Sequence, residues 1–111
     1  METTTAQYKH CDLVKITGRI DSATAPKLAE TLGKITDAGR YKIAIDLSGV
    51  QFLSSAGLRV LISTQKNCKR YNRGEVVLAA APETIKSVFD LAGFTSIFKI
   101  LPDVPSAVGS F

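Results

Sequence analysis
Three observations predict an α/β fold: a mixed, mostly parallel sheet of four or five strands covered by three or four helices. Segments that alternate with a period of two take turns along the chain with segments that are apolar at helical spacing. Glu75 to Ala79 is apolar on both faces, the pattern of a strand in the middle of a sheet with helices covering it. The length, 111 residues, suits one hydrophobic core, so residues 1–111 are expected to form a single domain.

Taken in order, residues 6–10 and 12–17 read as two short strands, with Val14 and Ile16 alternating and Gly18 closing the run. Ser22 to Ala38 reads as a helix. Ser22 is its expected N-cap after Asp21, Pro26 is early enough for the first turn, and Ala25, Leu28, Leu32 and Ile35 form its apolar stripe before Gly39. Tyr41 to Leu47 alternates, with Ile43, Ile45 and Leu47 against Lys42, Ala44 and Asp46. A loop through Ser48-Gly49 and Ser54-Ser55 then leads into a helix running to about Tyr71. After Asn72-Arg73-Gly74 comes the two-faced strand. Pro82 opens a third helix that turns Ile85, Val88, Phe89 and Ala92 inward and stops at Gly93. Ile97 to Leu101 is a last strand, and residues 102–111 form a short terminal helix or tail. Helical crossovers between the later strands imply parallel pairing.

Composition narrows the function. With 45% hydrophobic and 22% charged residues the chain is neither disordered nor fibrous. Its longest apolar run, Val76 to Ala81, is far short of the roughly 20 residues a membrane span needs. Met1-Glu2-Thr3-Thr4-Thr5 lacks the basic and apolar regions of a secretory signal, so a cytoplasmic setting with reduced Cys11 and Cys68 is expected. One histidine, His10, with no CxxC or HExxH, argues against a metal site, and no cofactor is expected. The net charge of +4 divides evenly about Val60, and Lys66 to Arg73 has no interleaved aromatic platform, so direct nucleic-acid binding is not expected. No G-x-S-x-G, G-x-x-x-x-G-K-[ST] or G-x-G-x-x-G motif occurs, so the chain reads as a binding module and not as an enzyme.

The informative stretch joins the Tyr41–Leu47 strand to the helix after it. Ser54 and Ser55 fall where backbone N–H groups lack intrahelical partners, a place that attracts an oxygen or an anion. Either serine could equally be a plain N-cap. At 100° per residue, Gly57, Val60, Leu61, Thr64, Cys68 and Tyr71 fall on the side assigned to the sheet. Ser55, Arg59, Ile62, Lys66, Lys69, Arg70 and Arg73 fall opposite, with Leu58 on the flank. A docking surface is therefore expected to centre on Leu58 and Ile62, rimmed by Arg59 and Lys66. Asp21 and Asp46 are expected beside the serine loop, as a pair that could hold a metal or guide a kinase, or separately as a turn residue and a strand-end cap.

Asp46-Leu47-Ser48-Gly49-Val50-Gln51-Phe52-Leu53-Ser54-Ser55-Ala56-Gly57-Leu58 resembles the signature of the STAS domain, as found in bacterial anti-sigma factor antagonists. Gly18-Arg19-Ile20-Asp21-Ser22-Ala23-Thr24-Ala25-Pro26-Lys27-Leu28 resembles the family's second marked segment. The resemblance implies a serine phosphorylated by a partner kinase, at Ser55 by its place in the motif, with Ser54 as the alternative. Ser54 stands where family members often carry an acidic residue. The implied function is an anti-sigma factor antagonist that captures an anti-sigma factor with serine kinase activity while unphosphorylated and so frees a sigma factor. A serine phosphatase would reset it, and Asp21, Ser54, Ser55, Leu58, Arg59, Ile62 and Lys66 would meet the partner. The alternative is an STAS module of another signalling or lipid-transport assembly, or one that senses a small ligand.

Overall fold
A computed structural model describes residues 1–111. Strands β1 (Glu2–Gln7), β2 (Asp12–Ile20), β3 (Lys42–Leu53), β4 (Glu75–Ala79) and β5 (Lys99–Leu101) lie in one sheet in that order. The β1–β2 pair is antiparallel and the other three pairs are parallel. Helices α1 (Ala25–Asp37), α2 (Ser55–Lys69), α3 (Glu83–Ala92) and α4 (Val104–Gly109) complete the domain. The fold is α/β with a five-stranded mixed sheet.

One face of the sheet carries the main core. Val14, Ile16, Ile20, Ile43, Ile45, Leu47, Val76 and Leu78 pack against Leu28 and Leu32 of α1, Leu61 of α2, and Ile85 and Phe89 of α3. The opposite face buries Ala44, Val77 and Ala79 beneath Ala107 of α4. The terminal segment is thus the lid of the second face, which explains why β4 is apolar on both sides. Asp103 caps α4, its carboxylate accepting from Ser106 N–H at 2.8 Å.

Several boundaries differ from the expected ones. β2 does not stop at Gly18. Gly18 adopts φ +90°, and the register with β3 shifts beside it, so the strand bends and continues to Ile20. β3 likewise runs through Ser48-Gly49 to Leu53, where a loop was expected. Val50 and Leu53 are both buried in the main core although three residues apart, because Gln51 is an extra residue where the register with β2 passes from Gly18–Val50 to Arg19–Phe52. Strands β2 and β3 therefore extend past the end of β4, whose last residue pairs with Asp46. α1 begins at Ala25 and not Ser22, because residues 21–24 close a turn on the Asp21 carboxylate. Ala92, expected inward, is exposed.

Candidate functional site
The extended ends of β2 and β3 hold the start of α2. Ile20 and Leu53 are register partners, and Ser54 N–H donates to the Ile20 carbonyl at 2.8 Å. Gly57 then lies directly over them. A Cβ on it would meet Ile20 Cγ2 at 2.5 Å and Leu53 Cδ1 at 2.9 Å, closer than real carbons approach. The missing side chain lets the first turn of α2 rest on the strand ends.

The two serines have different tasks. Ser54 is the N-cap: its backbone is extended, and its Oγ accepts from Gly57 N–H at 3.2 Å. It is half-buried and committed to the helix. Ser55 is the first helical residue and is exposed. Its hydroxyl stands at the positive end of the helix, where negative charge is favoured. Arg59, one turn further on, is also exposed.

Asp21 organises the neighbouring turn between β2 and α1. Its carboxylate accepts from Ala23 N–H and Thr24 N–H, each at 3.0 Å, and from the Thr24 hydroxyl at 3.1 Å. Asp21 N–H donates to Thr24 Oγ1 at 2.9 Å. These bonds, the Thr24 backbone bond foremost, hold the Asp21 carboxyl below the usual aspartate range. Asp21 is a turn residue next to the serine site. Asp46 is not its partner: it is level with Lys15 on β2, well before Asp21, and its carboxylate accepts from Ser48 N–H at 2.9 Å.

The outer face of α2 needs correcting. Leu58, expected on the solvent flank, is buried at 6% exposure and belongs to the core. Ile62 is half-buried and packs against the same core. Tyr71, expected on the sheet side, is 81% exposed. The buried residues of α2 are Gly57, Leu58, Leu61, Gln65 and Cys68, an arc turned roughly 60° from the expected one at 100° per residue. Gln65 is the cause. Its Nε2 donates to the Val76 and Ile97 carbonyls at 3.1 and 2.9 Å, and its Oε1 accepts from Val76 N–H at 2.6 Å. Val76 lies one residue before β5 begins its pairing at Val77, so the Gln65 amide supplies the partner that a strand would. Ser55, Arg59 and Lys66 remain exposed as expected.

One pair beside the site was missed. Phe52 is 38% exposed, and the Arg19 guanidinium lies 4.3 Å from its ring centroid. The signal was present in the sequence: if Leu53 points inward on a strand, Phe52 points out.

The STAS domain family model matches residues 2–107. A Bordetella bronchiseptica protein with the provisional name anti-sigma factor antagonist BtrV is 33% identical over 94 residues, 85% of this chain and 80% of that protein. RsfB of Mycobacterium tuberculosis, named an anti-sigma-F factor antagonist, is 29% identical over 105 residues, 95% of this chain and 84% of its own. The crystal structure of an anti-sigma factor antagonist from Mycobacterium paratuberculosis matches with a TM-score of 0.87 at 26% identity, covering 98% of this chain and 92% of that one. The Bacillus cell fate determinant SpoIIAA in its phosphorylated form shares the fold, with a TM-score of 0.76 at 12% identity and 98% of each chain covered. With its two marked segments forming one site at the ends of β2 and β3, and a family match over nearly its whole length, this chain belongs to the STAS domain family.

Proposed function
We propose that this chain is an anti-sigma factor antagonist switched by phosphorylation of Ser55. Unphosphorylated, it captures an anti-sigma factor with serine kinase activity and so frees a sigma factor for transcription. A serine phosphatase restores the capturing form, and the cycle runs in the cytoplasm. The observation that carries the choice of residue is the division of labour between the serines: Ser54 Oγ is spent on the helix cap, while Ser55 is exposed. The relatives' names support the partner class.

The switch follows from charge. A phosphate adds roughly −1.5 to −2 charges and three acceptor oxygens. Within the domain it is tolerated, because the helix N-terminus favours an anion by about 0.3–1 kcal/mol and Arg59 is one turn away. At a closed interface the same group would have to shed its water without a matched cation, which is costly. The partner surface on this reading comprises Asp21, Ser54, Ser55, Arg59 and Lys66, with the half-buried Ile62 contributing its edge. Leu58 supports that surface from beneath.

Affinity capture from native extract with wild type, Ser55→Ala and Ser55→Asp tests the proposal. Wild type and Ser55→Ala retain an anti-sigma factor, identified by mass spectrometry, and Ser55→Asp does not. Equal retention by a correctly folded Ser55→Asp would overturn the switch.

A further inference from the structure
We propose that the open edge of β1 pairs antiparallel with β1 of a second copy of this chain, joining the two sheets across a two-fold axis. The proposal is independent of the Ser55 switch, since Ser55 follows β3, two strands in from this edge.

β1 is the outermost strand and bonds only to β2. Thr4 to Gln7 are exposed. Which backbone groups face outward follows from the hairpin. Tyr8 N–H donates to the Cys11 carbonyl at 2.8 Å. In an antiparallel ladder, residues bonded to the neighbouring strand alternate with residues whose N–H and C=O point away. With Ala6 opposite Leu13 and Thr4 opposite Lys15, the inward bonds belong to Ala6, Thr4 and Glu2. Thr3, Thr5 and Gln7 therefore present their N–H and C=O groups to the open side.

Sheet edges are ordinarily guarded by a charge, a proline, a bulge, shortness or a cover. The opposite edge has two of these devices: β5 has three residues and begins with Lys99. Thr3 to Gln7 of β1 have none, being uncharged and proline-free, and the register with β2 runs unbroken from Glu2 to Gln7.

A second copy is the occupant because the edge complements itself. Outward-facing residues must meet outward-facing residues. In the register centred on Thr5, Thr5 faces the second copy's Thr5, and Thr3 faces the second copy's Gln7. Glu2 then lies opposite the second copy's Tyr8, so no like charges oppose each other from Glu2 to Tyr8; Met1 and the second copy's Lys9 meet only beyond the ends of the ladder. Threonine and glutamine across a ladder also hydrogen-bond through their side chains. A ladder this short buries less than the roughly 1,000 Å² of a lasting interface, so the association is reversible and concentration-dependent.

Analytical ultracentrifugation over a concentration series tests this, with Thr5→Lys and Thr5→Glu measured separately and mixed, and circular dichroism confirming that each is folded. The expected result is a reversible wild-type dimer, weakened about fivefold or more in each single variant by like charges facing across the axis. Mixing the two variants restores association, because lysine then faces glutamate. A wild type that stays monomeric through high micromolar concentrations overturns the proposal. So does a dimer unchanged by Thr5→Lys, or a mixture that associates no better than its components.

Discussion
The first turn of α2 and its last turns both use polar residues, to opposite ends. At the start, Ser54 turns its hydroxyl back onto the helix and Gly57 brings the backbone against Ile20 and Leu53, leaving Ser55 exposed. Further along, Gln65 is 1% exposed and spends its whole amide on Val76 and Ile97. Cys68 is buried beside the same region, and burial pushes its thiol up to about 11, so it stays protonated and unreactive at neutral pH. Polarity alone therefore does not mark a functional residue on this helix. What separates Ser55 from Ser54 and Gln65 is that the fold makes no use of its side chain.

The sharpest way to break this contrast is at its structural end. Gln65→Met keeps the volume but leaves Val76 N–H and two carbonyls without partners, and should destabilise the domain by about 3 kcal/mol in urea titration. Its surface at Ser55 should remain intact, so the fraction that stays folded should be phosphorylated as wild type. Next in size is Gly57→Ala, whose methyl must displace Ile20 and Leu53, at about 2 kcal/mol. Unlike Gln65→Met, this change should also impair phosphorylation, because it moves the turn that carries Ser55.

The contrast was only half legible in the sequence, and Gln65 shows why. The inward arc on the helical wheel follows from its small and apolar residues, so Gln65 falls to neither side and the arc lies rotated away from Leu58. Only the strand register reveals that Val76, paired with Ile43 of β3, lacks a partner on its β5 side and that an amide must reach in. The parallel strands, the two-faced β4 and the serine turn were readable because each rests on a local pattern. The passage of β3 through Ser48-Gly49 was not, since Gly49, which reads as loop, is here held in pairing with Thr17 of β2, and Val50 after it with Gly18. Arg40 was equally hidden: its guanidinium joins the Asp12 carboxylate and the Tyr8 carbonyl, tying the β1–β2 hairpin to the entry of β3 across a long stretch of chain.

Smaller effects sharpen the contrast within the serine turn. Ser54→Ala removes the cap and should cost about 1 kcal/mol, while leaving Ser55 open to modification. Ser55→Ala removes a side chain the fold does not use and should change stability by no more than about 0.5 kcal/mol. The smallest effect, at Asp21, depends on pH. Its folded pKa lies below its ordinary value of 3.8, so the stability it adds is present above that value and is lost as pH falls through the folded pKa. Asp21→Asn should thus be slightly less stable than wild type at neutral pH, with the two converging in acid. A difference that instead grows in acid would mean the carboxylate is not held by the Thr24 turn.

The most direct test of the central claim is phosphopeptide mapping after treatment with ATP and native extract, run in parallel on wild type, Ser54→Ala and Ser55→Ala. The predicted result is one phosphoryl group on Ser55 in wild type and in Ser54→Ala, and none on this turn in Ser55→Ala. Phosphate on Ser54 in the wild type, with Ser55 untouched, would contradict the account.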